Sequence, residues 1–526
     1  MAVAVASLLA VGYTTVSPSA VAVPAADPPP QPPPQLTQAK VDDAVGRLDR
    51  IVRDGMNETG VPGVAVAVVY KDRVVHLKGF GERRAGQSGA VGPDTVFQLA
   101  SLSKPLASTV VAGAVGEKAI GWDDPVAEHV PGFALKERWV SDHVTVADLF
   151  SHRSGLPDHA GDLLEDLGYD RTYILDHLRD EPLTPFRASY AYTNYGVTAA
   201  GQAVANAKAT TWEKLAEDTL YSPAGMNSTS SRFADYDKAQ DKAATHVKDA
   251  DGTWQAKFVR DADAQSPAGG ASSTASDMAT WLRLQLANGK LGGKQVIPAE
   301  QLERTHLPEI VSGPPRAPAG RASFYGLGWN VSYDDQGRLR LSHSGAFELG
   351  ANTNVTMLPG EQLGLVVLTN GAPVGLADSV ALDFFDIAQY GEPTTDWLSL
   401  VDEVYQQQLQ ADRSPTDYTK PPRNAAPARP DDTYTGTYEN DYYGPLTVTA
   451  ANGELTMSLG PKPMTFRLTH FDGDTFSFRT VGENATGLSG VTFEVGSGSE
   501  GAGGSKASKV TVEAFDKTGL GTFTRP

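Results

Sequence analysis

Apolar residues recur at helical spacing from Val41 to Val52, then give way to two β-rich runs at residues 61–70 and 73–81. Only the polar pair Lys71-Asp72 separates those runs, which predicts a hairpin. The stretch Thr95-Val-Phe-Gln-Leu-Ala leads into an apolar helix expected to run through about Val115. Residues 144–152 predict a short helix stopped by Ser154-Gly-Leu-Pro157, and residues 196–207 a helix of small residues. A glycine turn at 267–270 opens a helix reaching Trp281, with Thr274 and Asp277 at capping-box spacing. Residues 325–330 and 339–343 read as strands, and residues 363–369 as a strongly apolar one. The amphipathic stretch from Leu376 to Tyr390 is expected to pack on that sheet as a helix.

Two proline-rich stretches punctuate this pattern, residues 24–35 with seven prolines and residues 414–430 with five. Both read as extended spacers. Beyond the second, the chain alternates in short runs at 446–449, 455–459, 464–468, 475–478, 491–495 and 509–515. Asn452-Gly453 and Asp472-Gly473 supply hairpin turns. Such strands without helices predict a small antiparallel barrel or sandwich. The Gly/Ser run at 496–505 reads as a flexible loop.

Composition narrows the classes. The 526 residues allow two to four domains, and 40% hydrophobic with 20% charged residues is a globular balance. A net charge of −19 argues against a nucleic-acid partner. With no cysteine, thiol catalysis, disulfides, thiolate metal sites and a Cys-linked lipid anchor are excluded. No HExxH occurs and the ten His are scattered, so neither a metal nor another cofactor is predicted. Residues 2–12 are apolar and uncharged, and small residues follow to Ala26. Residues 1–26 therefore read as a signal peptide lacking its basic start, with a disordered tail as the competing reading. The segment is too short to span a membrane. The expected location is extracytoplasmic, with a spacer at 27–40. Residues 158–181 are rich in Asp and Glu. A solvated face is the expected role, and a pocket rim favouring cationic substrates is the alternative.

The chemistry centres on Ser101 and Lys104. Three positions apart on a helix, they share one face. Pro105 fits the first turn, where N–H groups have no internal partner. A partly desolvated ammonium there can lose its proton and take one from the hydroxyl. Alone, the pair also fits a capping Ser followed by a solvated Lys. Downstream partners give it weight. In Tyr192-Thr-Asn194, a Tyr of depressed pKa can serve as base, and the Asn can hold an amide carbonyl. In His343-Ser344-Gly345, a Gly on an edge strand admits a substrate backbone, and the N–H of Ala346 can face an oxyanion. Tyr190 and Tyr195 lack an Asn two positions on. His152, beside a Gly-Pro turn, reads as a packed structural residue. Lys517-Thr-Gly519 forms a decoy third box inside the β-region.

Together these boxes resemble the S-x-x-K, Y-x-N and [KH]-[ST]-G boxes of class C β-lactamases and their relatives among DD-peptidases, D-amino-acid peptidases and esterases. Residues 151–157, 267–270, 325–329 and 368–370 match flanking phrases, and the resemblance covers roughly residues 45–390. It implies an α/β fold with an antiparallel sheet flanked by helices and an all-helical lobe, over residues 41–392. Residues 393–430 follow as a helical segment and linker, and 431–526 resemble a lipocalin-like β-domain. The resemblance makes Ser101 the acylated nucleophile, with Lys104 and Tyr192 sharing its proton. Asn194, His343, Ser344, Gly345 and Ala346 would bind the substrate, and the N–H groups of Ser101 and Ala346 would form the oxyanion hole. His343 stands where dedicated β-lactamases carry Lys, which favours the peptidase or esterase branch. The expected partner is a small-molecule or short-peptide acyl substrate. A β-lactamase is the alternative, and a non-catalytic cell-wall peptide receptor the rival of another class.

Overall fold

The computed structural model describes residues 34–334, 336–496 and 506–526. Residues 1–26, read above as a signal peptide, the start of the first spacer and most of the Gly/Ser run lie outside the described residues. Helix α1 (Gln38–Thr59) starts where the Thr37 hydroxyl accepts the Lys40 N–H and ends at left-handed Gly60. The predicted hairpin forms as β1 (Gly63–Tyr70) and β2 (Arg73–Gly81), turning through Lys71 and Asp72 with φ of 49° and 59°. Phe97-Gln98 does not lead straight into a helix; it pairs with Ser272-Ser273. A 3-10 turn at Ala100–Leu102 then enters α2 (Ser103–Gly116), with Pro105 in its first turn. Residues 103–114 of α2 are all buried, so it is a central helix rather than an amphipathic one.

The helical lobe contains α3 (Val146–Phe150), α4 (Asp162–Asp166) and α5 (Asn194–Ala207). A full capping box between Thr145 and Asp148 starts α3. Helix α6 (Ala275–Leu286) is capped by Thr274 as its spacing predicts. The chain then lays down β3 (Ile310–Gly313), β4 (Ser323–Tyr325), β5 (Asn330–Tyr333), β6 (Leu339–Phe347), β7 (Ala351–Leu358) and β8 (Leu363–Thr369). Residues 325–330 are not one strand: they turn from β4 into β5, closed by the Gly326 N–H on the Trp329 carbonyl.

All eight strands form one antiparallel sheet in the order β2-β1-β8-β7-β6-β5-β4-β3. Its two faces follow the alternation of side chains. Val64, Val66, Val68, Leu365 and Val367 pack against α1 and α7 (Leu376–Tyr390). Ala65, Ala67, Val366 and Leu368 face α6 and α2. The functional strand is β6. Its first half pairs with β5 from Leu339 to Ser342, but residues 343–347 pair only with β7. An internal strand thus has a locally open edge, which corrects the edge-strand expectation for Gly345.

After α8 (Trp397–Ala411), eight strands from Gly436–Tyr438 to Thr522–Thr524 wind in sequential antiparallel order. Glu439 and Thr524 exchange two backbone hydrogen bonds, so the sheet is a nearly closed barrel. Tyr434, Tyr438, Phe476 and Phe493 fill its interior.

The barrel is docked on the helical lobe. The Tyr169 and Tyr173 hydroxyls donate to the carbonyls of Tyr443 and Tyr442, and Tyr442 OH donates to Glu181. The N–H groups of Glu483 and Asn484 both donate to Asp166. The solvated-face expectation for residues 158–181 holds at Asp158, Asp170 and Asp176, which are exposed, and fails at Asp162, Asp166 and Glu181. Asp162 and Glu181 are each 3% exposed, and Asp166 is held by the barrel. Sequence alone marks them as charged; the barrel covers Asp166 and Glu181, and Asp162 is buried beside Asn194 and His159. No helix among the described residues is long and apolar enough to cross a membrane.

Candidate active site

Four segments converge on the Ser101 hydroxyl. Lys104 Nζ lies 3.0 Å from Ser101 Oγ, and the Tyr192 hydroxyl donates to the same oxygen at 2.9 Å. Lys104 is fully buried, and its ammonium also donates to Asn194 Oδ1 at 2.7 Å and to the Ala268 carbonyl at 3.1 Å. Its nitrogen sits 4.5 Å from the centre of the Tyr192 ring. The backbone at Ala100 has φ of 48°, a left-handed conformation that costs an alanine free energy and turns Ser101 out of the strand line.

Electrostatics divide the two groups beside Ser101. Burial lowers Lys104 to about 7, against the opposing charge of Asp162 and with help from Arg260. Burial pushes Tyr192 well above its ordinary value, the Ser101 hydrogen bond opposing. The expectation of a Tyr with a depressed pKa is thus reversed. Near neutrality the lysine loses its proton and the phenol keeps its own.

His343 is 3% exposed on β6. Its Nδ1–H donates to the Ser344 carbonyl at 2.8 Å, and its Nε2 accepts from the Tyr325 hydroxyl at 2.8 Å. Burial, and then the Lys104 charge, lowers it to about 3, so it is a neutral ring throughout the physiological range. Ser344 points to the opposite face of the sheet, where its hydroxyl bonds Asp378 and accepts from Asn354. Its side chain does not face Ser101, because successive strand residues alternate faces. Gly345 is where β6 meets the Ser101 turn. A Cβ there would lie 2.3 Å from the Leu99 carbonyl oxygen and 3.1 Å from the Ser101 nitrogen. The glycine is required by the protein's own backbone rather than by a substrate's. Ala346 follows on the open half of β6.

His152 is a packed residue, as expected, but it walls the site. Its ring lies 4.4 Å from Tyr192 and 4.7 Å from Tyr325, and its Nδ1 accepts the Thr193 N–H. Lys517 of the decoy box bonds Asp412 at 2.7 Å and is more than half exposed. Lys517→Ala is expected to leave Ser101 labelling within about twofold and stability within about 0.5 kcal/mol, read by rate and melting point. A dead Lys517→Ala chain would make the wrong box the third box.

Several site residues were not singled out in the sequence. Asp162 accepts Asn194 Nδ2 at 2.9 Å and His159 Nδ1 at 2.8 Å. Tyr325 fixes His343. Arg260 pairs with Glu165 and with Glu483 of the barrel, both at 3.1 Å, and stacks on Phe347. The Glu483 carboxylate also accepts the N–H groups of Glu348 and Leu349, just past Ala346. The acidic stretch at 158–181, with its pocket-rim alternative, was the signal for Asp162, and the flanking phrase at 325–329 the signal for Tyr325; His159, Arg260 and Glu483 gave none.

Comparison with known proteins adds the following. The beta-lactamase family model matches residues 48–384, and a domain of unknown function, DUF3471, matches residues 420–512. Unguisins hydrolase ungD of Aspergillus violaceofuscus is 23% identical over 470 residues, covering 82% of this chain and 82% of the relative. Penicillin-binding protein 4 of Amycolatopsis lactamdurans is 28% identical over 62% of this chain and 85% of its own length. The solved octameric penicillin-binding protein homologue from Pyrococcus abyssi aligns with a TM-score of 0.57 at 18% identity. That alignment covers 89% of this chain and 98% of the other, a likeness of fold.

Proposed function

The chain belongs to the beta-lactamase family of serine hydrolases, and from that premise we propose that it acts through an acyl-enzyme on Ser101, on D-amino-acid peptides or amides or on small esters. The observation that carries this reading is the Ser101 hydroxyl held between a buried lysine near 7 and a protonated tyrosine. Neutral Lys104 takes the Ser101 proton as Oγ attacks the acyl carbon. The N–H groups of Ser101 and Ala346 receive the oxyanion. Tyr192 gives its proton to the departing amine or alkoxide and regains one from the Lys104 ammonium. Water then attacks the ester at Ser101, Lys104 takes its proton and passes it to Ser101 Oγ as the C–O bond breaks, and the acid and free Ser101 result.

His343 favours this branch over β-lactam hydrolysis. A buried neutral imidazole with both nitrogens engaged offers no charge to a β-lactam carboxylate. A charge-assisted bond is worth about 1–3 kcal/mol, so lactams carry roughly a ten- to hundred-fold handicap on this account.

The test is intact-mass labelling with a fluorophosphonate, then steady-state rates on D-alanyl amides, small esters, unguisins and a chromogenic cephalosporin. We expect one label per chain, lost in Ser101→Ala, and lactam turnover slower than the best ester or D-amide. Tyr192→Phe should fold and lose roughly a hundred-fold or more in turnover. Lactam hydrolysis faster than every ester and amide would overturn the branch. A labelled chain that turns over nothing would leave a receptor.

A further inference from the structure

A string of hydrogen bonds runs from the protein surface to the nucleophile. His159 Nδ1 meets Asp162 Oδ2 at 2.8 Å; the same oxygen accepts Asn194 Nδ2 at 2.9 Å; Asn194 Oδ1 accepts Lys104 Nζ at 2.7 Å; and Nζ lies 3.0 Å from Ser101 Oγ. Each link is directional. An amide has a donor end and an acceptor end, and only one orientation presents oxygen to the ammonium. The carboxylate at its other end selects that orientation, because a carboxylate accepts and cannot donate. Asp162 is buried, and its second oxygen has no partner among the described residues. Burying such a charge is expensive, so its presence one residue away from Lys104 needs a reason beyond packing. His159 is half exposed at the outer end, and its backbone N–H donates to the Tyr192 backbone carbonyl at 2.8 Å, which fixes the two segments against each other.

We propose that Asp162 and His159 are positioning residues for the reaction at Ser101: Asp162 locks the Asn194 amide toward Lys104, and His159, bonded to the same Asp162 oxygen, holds that carboxylate in place and opposes its charge. The proposal rests on the acyl-enzyme reading above. The signs are fixed by charge. Asp162 holds the Lys104 proton on, and protonated His159 pushes it off. Burial alone would lower His159, but the bond and charge of Asp162 override it and raise it to about 9, so the imidazolium persists through neutrality. The other charged groups facing the string are Asp158, with Asp412 beyond it, and Arg260 with Glu165; His152 beside Lys104 is held neutral by burial, as His343 is. None of these is removed by the substitutions below.

Lys104 must be neutral to work, so the rate of Ser101 labelling rises with pH through its pKa. Asp162→Asn keeps an oxygen for Asn194 Nδ2 and, made in the His159→Gln background where no imidazolium is lost with it, removes the negative charge alone; relative to His159→Gln the rising limb should move to lower pH by roughly half a unit to one unit. His159→Gln removes the positive charge; the limb should move to higher pH by a smaller amount, because His159 is half exposed and its charge is screened by solvent. Asp162→Leu removes the amide's anchor as well and should lower the plateau rate about tenfold or more. The experiment is fluorophosphonate labelling of full-length wild type and variants from pH 5 to 10, with melting points alongside. A limb that moves to higher pH in His159→Gln and falls again when Asp162→Asn is added supports the proposal, since loss of packing alone has no sign. A His159→Gln limb that coincides with wild type, or two steps that move the same way, overturn it. If Asp162→Asn fails to fold, the half-exposed His159→Gln decides alone. Absence of labelling in the wild type overturns the acyl-enzyme reading itself, and the positioning roles fall with it, an outcome distinct from unmoved limbs in a reactive protein.

Discussion

A Gly345→Val chain is expected to fold and yet to be inert toward an acylating label. Two backbones meet at this residue. The Leu99 carbonyl and the Thr353 hydroxyl each lie 2.3 Å from where a Cβ would stand, and the Thr353 hydroxyl already donates to that carbonyl at 2.8 Å. Valine therefore pushes the Ser101 turn off β6. Overpacking of this kind costs about 1–3 kcal/mol, which a chain with this much buried surface can absorb. The site cannot absorb it, because the amides of Ser101 and Ala346 sit on the two backbones that are driven apart. Losing one oxyanion donor costs roughly a hundred- to a thousand-fold. Misplacing both, together with the hydroxyl, should put labelling more than about a thousand-fold down. A thermal melt and a labelling time course check it. A folded variant labelled at the wild-type rate would mean that the oxyanion contacts lie elsewhere.

The same residue shows what a sequence conveys and what it withholds. That position 345 demands glycine was legible. Tyr192, which arrives from a segment 91 residues on, was legible only through the resemblance of its box, whereas the pairing of Ser101 with Lys104 was legible because a single turn brings the two side chains together locally. The sheet, its flanking helices α1 and α7, and the barrel's turns were legible for the same reason: apolar periodicity and Gly-containing dipeptides act over a few residues. The reason for the glycine was not legible, since it depends on Leu99 and Thr353 arriving from two other segments. Nor was the direction in which Tyr192 and Lys104 shift, which burial decides rather than neighbours in the chain. Asp162 looked like one of eight surface acids until α4 was placed beneath Asn484 and beside Asn194. Alternation along β6 could have excluded the Ser344 side chain once His343 was assigned to the Ser101 face.

The proline-rich spacer ahead of the barrel invites the expectation that a chain ending at residue 413 folds and still acylates; the docked barrel predicts the reverse. Arg260, Glu165 and Glu483 form a buried set, each side chain about a tenth exposed or less. Removing the barrel leaves the Arg260 pair half-made, uncovers Glu181, and frees the amides of Glu348 and Leu349 that Glu483 accepts. Apolar residues of the lobe and the barrel also belong to one continuous cluster. Breaking one partner out of a buried ion set costs about 3–5 kcal/mol, a large part of what holds a domain folded. The truncated chain should therefore aggregate or melt far below the full chain. Glu483→Gln in the full-length protein isolates the local part. It removes one charge and keeps the shape, so it should fold with a lowered melting point. Because Glu483 holds the turn that ends β6, its labelling rate should fall roughly tenfold or more. Calorimetry and labelling on the two chains read both effects. A soluble chain ending at 413 that labels Ser101 as fast as the full protein would show that the barrel is carried by the hydrolase without supporting it.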